Sequence, residues 1–179
     1  MKRLSVRNYE HNQKIPLPEG LINGQSLGAV SGMKFGRSTV SYSGCEVIAV
    51  YNALLLTGHP TGFCEVARYM ERFRVLIGFW GTNFLMLGHC LRHFGLRQRC
   101  VRSRERLRRA LDAGQICLFV YWVRKRFRSP VHTVCIRQEA GGMLAVYNLY
   151  NNCGTVIHMP REKLLQSNRI LAYCICGTT

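Results

Sequence analysis

The chain has 179 residues, of which 47% are hydrophobic and 19% charged, and this balance is typical of a globular domain. Its net charge of +16, from 25 Lys and Arg against 9 acidic residues, favours an anionic partner such as an acidic peptide, nucleic acid or a membrane surface. Asp112 is the only aspartate, which argues against two-metal nucleases, paired-carboxylate glycosidases and Ser-His-Asp hydrolases.

The predicted elements fall into a helical first part and a strand-rich second part. Residues 1–24 are polar and are predicted to form an N-terminal arm or loop, whereas residues 25–179 are predicted to form one domain. A strand-like piece over 39–42 leads into the first helix, and the remaining helices are predicted over 64–70, 83–94, 103–113 and 161–166. Strands are predicted over 96–101, 116–123, 131–137, 143–150, 155–158 and 170–175. This order predicts an α+β fold in which a helical half packs on an antiparallel sheet half.

The sequence predicts neither an exported protein nor a metal site. The N-terminus lacks the apolar core of a secretory signal, and the longest apolar stretch, residues 75–87, is too short to span a membrane. Nine cysteines without paired zinc-type spacing predict a cytoplasmic protein with mostly free thiols. His89 and His93 form an i, i+4 pair on a predicted helix, but no further ligand cluster accompanies them, so no metal and no cofactor are predicted.

The first helix carries a candidate nucleophile at its start. Ser43 and Glu46 stand three residues apart before a long apolar run, which is the capping-box pattern. With Ser43 as the N-cap, Cys45 is the second helical residue and lies among unpaired amides, a position that lowers the pKa of a thiol. The run from Val47 to Leu56 is apolar on nearly every side and predicts a buried helix that stops at Gly58.

A predicted hairpin supplies a base for this thiol. A three-residue loop of Glu139-Ala140-Gly141, with Gly141 in the left-handed conformation, pairs Gln138 with Gly142. Counting outward from this turn places His132 opposite Asn148, and directly opposed residues have Cβ atoms about 4.5 to 5.5 Å apart. The side-chain amide of Asn148 is then expected to hold one imidazole nitrogen, which leaves the other for a thiol. A loop of two residues would place the two side chains on opposite faces.

The set of Tyr42-Ser43-Gly44-Cys45, His132 and Asn148, in this order and with histidine opening a strand, resembles the papain-like cysteine proteases. It is most similar to their small bacterial branch, which includes peptidases that cleave double-glycine leaders from bacteriocin precursors and their stand-alone relatives. The resemblance extends from about Gln25 to the end of the chain. It implies that Cys45 is the nucleophile, His132 the general base and Asn148 the orienting residue, with thiolate attack on a carbonyl followed by hydrolysis of the thioester.

Two positions depart from that family pattern. The family places an oxyanion-hole glutamine six residues before the cysteine, where this chain has Thr39. Gln25 stands 20 residues before the cysteine and is the candidate replacement if the intervening loop folds back. Losing one oxyanion donor costs about 10²- to 10³-fold in rate, so this residue matters to the prediction. Glu46 occupies a position where relatives commonly have a small residue.

Two basic clusters suggest what the partner is. Residues 97–109 hold seven arginines against one glutamate, which is also the pattern of a solvated surface. The loop before His132 contains Arg126 and Arg128, which are predicted to line the cleft and to favour an acidic peptide substrate. Nucleic acid is a weaker candidate, because only Trp122 and Phe127 lie among the basic residues as stacking aromatics.

Two other functions are compatible with the same residues. One is an acyl- or amide-transfer enzyme on the same fold, in which the thioester passes to an amine. The other is a basic binding protein with a degenerate site, a reading that Thr39 in place of the family glutamine favours. The sequence does not indicate an oligomeric state.

Overall fold

The computed structural model describes residues 3–17, 19–78, 81–124, 130–150 and 153–178. Its helices are α1 (Leu4–Asn12), α2 (Val40–Ser43), α3 (Cys45–Leu56), α4 (Phe63–Met70), α5 (Leu87–His93), α6 (Arg104–Asp112) and α7 (Arg161–Leu165). Its strands are β1 (Lys34–Phe35), β2 (Ser38–Thr39), β3 (Leu96–Val101), β4 (Cys117–Trp122), β5 (Val131–Gln138), β6 (Met143–Tyr147), β7 (Ile157–Pro160) and β8 (Asn168–Thr178). None of the helices in these ranges is long and apolar enough to cross a membrane.

Six strands form one antiparallel sheet in the order β3-β8-β4-β5-β6-β7, and β1 and β2 form a separate hairpin. The sheet is covered on both faces, because strand alternation sends successive side chains to opposite sides. Leu118, Val120 and Cys135 belong to the core that includes α3, α4 and α5. Phe119, Val134 and Ile136 belong to a second core that includes α6 and α7. The α+β class predicted from the order of elements is confirmed.

Helix α3 is the central element of the helical half. Every residue from Cys45 to Leu54 is buried, and the helix ends just before Gly58, whose φ of 75° suits the residue after a helix. Asn52, in the middle of this helix, binds both the backbone N–H and the carbonyl of Ile22 at 2.9 and 2.8 Å. This buried amide therefore attaches the chain segment before the site to the helix that begins at the site.

The N-terminal segment contains a helix where the sequence predicted an arm or loop. Asn8 and Asn12, one helical turn apart on α1, face the body of the protein. The Asn8 amide donates to Gly36 O and Glu71 Oε1, and Asn12 exchanges two hydrogen bonds with the backbone of Lys34. Since amides and not apolar side chains dock this helix, the apolar periodicity that predicts a helix is missing from its sequence. The proposed boundary at residue 24 remains a prediction.

The predicted capping box at the start of α3 and the predicted strand over 39–42 are both wrong. Residues 40–43 form a helical turn, Gly44 follows, and α3 begins at Cys45. The Ser43 hydroxyl donates to the carbonyl of Thr39 at 3.2 Å and caps no amide of α3. Gly44 makes this tight connection possible, because a Cβ there would lie 2.4 Å from a methyl carbon of Val40. Cys45 is therefore the first residue of the helix and not the second.

Candidate active site

Cys45 lies at the junction of the helical half and the sheet. It is 7% exposed, and its thiol approaches the backbone of Thr133 on β5 and the carboxyl of Glu46. Burial raises the pKa of the Cys45 thiol well above its usual value, and the negative charge of Glu46 raises it further. The predicted lowering of the Cys45 pKa by the helix N-terminus is wrong for this resting structure, because desolvation of the thiolate outweighs the helix dipole.

The β5–β6 hairpin differs from the predicted register by two residues. Gln138 pairs with Leu144, and Glu139 donates its N–H to Met143 O at 2.8 Å. Gly141 has the left-handed φ of 67° that the sequence predicted. The turn is longer than predicted because the next residue is also glycine and also adopts a positive φ, of 74°. A shift of two residues preserves the face of each side chain, whereas a shift of one would reverse it.

The rings of His132 and Tyr150 lie 5.4 Å apart and are nearly perpendicular. Tyr121, paired with His132 on β4, makes a second edge-to-face contact at 5.9 Å. Burial between these rings lowers the pKa of His132 to about 4. The imidazole is therefore neutral at pH 7.

The Nε2 atom of His132 lies 2.7 Å from the backbone carbonyl oxygen of Asn148. A carbonyl oxygen accepts hydrogen bonds only, so Nε2 carries the proton and Nδ1 carries the lone pair. The sequence predicted that the side-chain amide of Asn148 would hold the imidazole; the backbone carbonyl does so instead. Asn148 lies just after β6 with a φ of 59°, and leaving the strand turns its side chain elsewhere.

The side chain of Asn148 binds Gln25. Its Oδ1 accepts the backbone N–H of Gln25 at 3.0 Å, and its Nδ2 lies 3.5 Å from Gln25 Oε1. The backbone N–H of Asn148 donates to Asn23 Oδ1 at 2.8 Å. Gln25 Nε2 in turn donates to the carbonyl of Ser41 at 2.9 Å, four residues before Cys45. The loop therefore folds back toward the nucleophile, as the use of Gln25 requires, and one Nε2 hydrogen remains for another acceptor.

The described contacts do not bring Cys45 and His132 together. Alternation along β5 places His132 on the same face as Val134 and Tyr121, whereas the thiol of Cys45 approaches the next residue, Thr133. Among the described atoms no hydrogen bond joins Cys45 Sγ to a ring nitrogen of His132. The sequence did not place Glu46 in the site, yet the negative charge of this side chain raises the pKa of the Cys45 thiol.

A pocket of about 400 Å³ lies on the chain just before the nucleophile and is lined by Lys34, Arg37, Ser38, Thr39 and Tyr42. Tyr42 is 72% exposed, and no ion pair to either basic side chain occurs within the described part of the chain. No sequence motif indicated this pocket, because its basic residues come together through the β1–β2 hairpin. Arg126 and Arg128, the predicted substrate-binding residues, lie outside the described residues.

No three His, Cys, Asp or Glu side chains within the described ranges are placed to hold a metal ion together. His89 instead accepts or donates a hydrogen bond with the Tyr69 hydroxyl at 2.9 Å, and His93 stacks on the same ring at 3.6 Å. The i, i+4 histidine pair is therefore part of an aromatic cluster on α4 and α5.

No protein-family model and no curated protein matches the sequence. Two solved structures are similar in fold. The peptidase domain of Streptococcus ComA, a bi-functional ABC transporter involved in a quorum sensing pathway, superposes with a TM-score of 0.55 at 12% identity, over 75% of this chain and 91% of that domain. A double glycine motif protease from an AMS/PCAT transporter, in complex with its leader peptide, gives 0.51 at 16% identity over 74% and 84% of the two chains. The chain thus has the papain-like α+β fold of these peptidase domains, which confirms the predicted resemblance at the level of the fold.

Proposed function

We propose that the chain is a cysteine peptidase in which Cys45 attacks the carbonyl carbon of a peptide bond, His132 is the general base and Asn148 positions the base. The observation that supports this most is the chain of contacts around the N-terminus of α3. His132 is held by the Asn148 carbonyl, Asn148 holds Gln25, and Gln25 binds the segment that leads into Cys45. The fold shared with two peptidase domains adds to this argument.

Each group in this arrangement has a chemical task. The remaining Nε2 hydrogen of Gln25 and a backbone N–H at the start of α3 are the proposed donors for the oxyanion that forms when sulfur adds to the carbonyl. After the amine leaves, a thioester joins the peptide to Cys45, and water must be deprotonated to hydrolyse it. His132 is suited to this second step, because its Nδ1 carries a lone pair and its ring is held by a carbonyl.

The proposed substrate is a leader-type peptide with acidic residues. One of the two fold neighbours is described with a leader peptide bound. In this chain the pocket on the segment that precedes Cys45 presents Lys34 and Arg37, which have no anionic partner among the described residues. Unpaired cations at a cleft attract an anionic peptide and fix its register. Arg126 and Arg128 are proposed to bind acidic residues of the same peptide.

Peptide cleavage tests the proposal. Synthetic double-glycine leader peptides, one set rich in Glu and Asp and a matched set with Gln and Asn at those positions, are incubated with the protein and analysed by mass spectrometry. Wild type is expected to cleave, and Cys45→Ala to be inactive. Arg37→Glu is expected to lower kcat/KM for the acidic set by roughly tenfold and to leave the neutral set unchanged. Arg99→Glu, an exposed change on β3, is the matched control. Cleavage that survives Cys45→Ala would refute the proposal.

A second function, a basic binding protein without catalysis, is favoured by one observation. Cys45 and His132 form no hydrogen bond with each other in the described structure, and burial raises the pKa of the thiol. If wild type binds the acidic peptides without cleaving any of them, and Cys45→Ala binds them equally well, this second function replaces the first.

A further inference from the structure

Asn23 binds the residue that holds the candidate base, yet it has no task in the reaction proposed above. Its side-chain Oδ1 accepts the backbone N–H of Asn148 at 2.8 Å. Asn148 is 1% exposed, and the pairing of β6 with β5 ends one residue earlier, at Tyr147. A buried N–H without an acceptor is costly, so the side chain of Asn23 takes the place of a strand partner.

Asn148 has an unusual backbone conformation that needs such support. Its φ of 59° is left-handed, a region that is unfavourable for a residue with a Cβ. Two bonds hold the residue on either side of its Cα: the N–H donates to Asn23, and Oδ1 accepts the N–H of Gln25 at 3.0 Å. Because both groups are held, rotation about φ is restricted, and the carbonyl oxygen lies 2.7 Å from Nε2 of His132. The orientation of the imidazole therefore depends on the acceptor at position 23.

Asn23 is itself attached to the helix that begins at the nucleophile. The preceding residue, Ile22, forms hydrogen bonds through both of its backbone groups with Asn52, in the middle of α3. The following residue, Gly24, has a φ of 69°, and a Cβ there would lie 3.2 Å from the carbonyl oxygen of Cys153. Residue 23 is thus confined between two tight contacts, and it fixes the position of the base relative to α3.

We infer that Asn23 is a positioning residue for the proposed reaction, in which it fixes the Asn148 carbonyl that orients the imidazole of His132. The inference rests on the proposed function, because it concerns the base of that reaction. The recorded bond of the Asn23 side chain is to Asn148 and not to the thiol or the imidazole. Its effect is therefore expected on the rate of the chemical steps and not on peptide binding.

A pair of variants separates this role from a purely structural one. Asn23→Ala removes the acceptor, whereas Asn23→Asp keeps an oxygen for the Asn148 N–H. In the peptide cleavage assay, Asn23→Ala should lower kcat by about tenfold to 100-fold with KM unchanged, and Asn23→Asp should keep kcat within about threefold of wild type. Ser103→Ala, which removes an exposed acceptor of a backbone N–H on α6, is the matched control and should cleave as wild type. An unchanged kcat in Asn23→Ala, or an equal loss in Asn23→Asp, would overturn the inference.

The ring N–H of His132 gives a second readout that needs no substrate. At about pH 7 the ring is neutral, and its Nε2 hydrogen is bonded to the Asn148 carbonyl. In wild type and Asn23→Asp this proton should give a downfield NMR signal that exchanges slowly with water, whereas in Asn23→Ala the signal should move upfield or disappear through exchange.

Two results of this measurement would overturn the inference. One is an unchanged signal in Asn23→Ala. The other is loss of cooperative unfolding in Asn23→Ala, followed by circular dichroism in urea, because the residue would then be required for the fold itself. If the signal changes as expected and wild type cleaves no peptide, the proposed function fails, whereas the orientation of the ring by Asn23 is supported. If wild type cleaves and the signal is unchanged in Asn23→Ala, the peptidase stands and the role of Asn23 is refuted.

Discussion

The stability of Glu46→Gln relative to wild type is expected to increase from acidic to neutral pH. Burial raises the pKa of Glu46 from 4.5 to about 7, so the folded state binds this proton more tightly than the unfolded state does. The stability contributed by that proton is fully present below about pH 4.5 and is lost as the pH rises through about 7. A shift of about 2.5 pH units corresponds to about 3 to 4 kcal/mol, at about 1.4 kcal/mol per unit.

Urea denaturation of wild type and Glu46→Gln at a series of pH values from about 4 to about 8 measures this difference. Relative to wild type, the free energy of unfolding of the variant should increase by about 3 kcal/mol across that range. Glutamine has nearly the same volume and does not titrate, so packing effects are the same at every pH. Glu105→Gln, at a side chain that is 60% exposed, should show almost no change. A constant difference between wild type and Glu46→Gln would refute the reasoning that the carboxyl is desolvated.

Three further outcomes are expected. His132→Gln keeps a donor for the Asn148 carbonyl, and its stability relative to wild type should change with pH in the opposite direction to that of Glu46→Gln. Burial lowers the pKa of His132 from 6.5 to about 4, so the stability that this group contributes in wild type is present above pH 6.5 and is lost as the pH falls through 4. The variant should not lose this stability in urea titrations. Gly81→Ala should cost roughly 1 kcal/mol more than Gly114→Ala in urea denaturation, because both have a positive φ but only Gly81 has atoms in the path of a Cβ. In wild type at about pH 7.5, Cys153 should react with iodoacetamide before Cys45. A hydrogen bond with Thr155 lowers the pKa of Cys153, whereas burial raises the pKa of Cys45. Peptide mass spectrometry measures the labelling of each residue, and faster labelling of Cys45 would contradict this prediction.

Elements whose ends are set by local chemistry were predictable from the sequence. The bounds of β3, Leu96–Val101, are those predicted. Helix α6 begins directly after Ser103, whose hydroxyl accepts the N–H of Arg106. Helix α3 was predicted through Leu56 because an unbroken apolar run followed by glycine leaves few alternatives. In these cases the signal and the structure it predicts lie within a few residues of each other.

Predictions that depended on a turn were less successful. The capping box failed because the residues before Cys45 form their own helical turn, so Ser43 is helical and not available as a cap. The hairpin register moved by two residues because two adjacent glycines both adopt a positive φ. The even shift kept Asn148 near His132, but it exchanged the side-chain amide for the backbone carbonyl as the bond to the ring.

The sequence by itself determined the α+β order of elements, the buried helix from Val47 to Leu56 and the strand that begins with Val131-His132, because hydrophobic pattern and glycine placement act over short distances. Only the tertiary structure decided what surrounds the thiol. Burial of Cys45, Glu46 and His132 depends on how α3, the sheet and the segment at 81–82 pack together, and this burial sets the direction in which each pKa moves. The environment of a titrating group is built from residues far apart in the chain, and a local sequence pattern does not predict that environment.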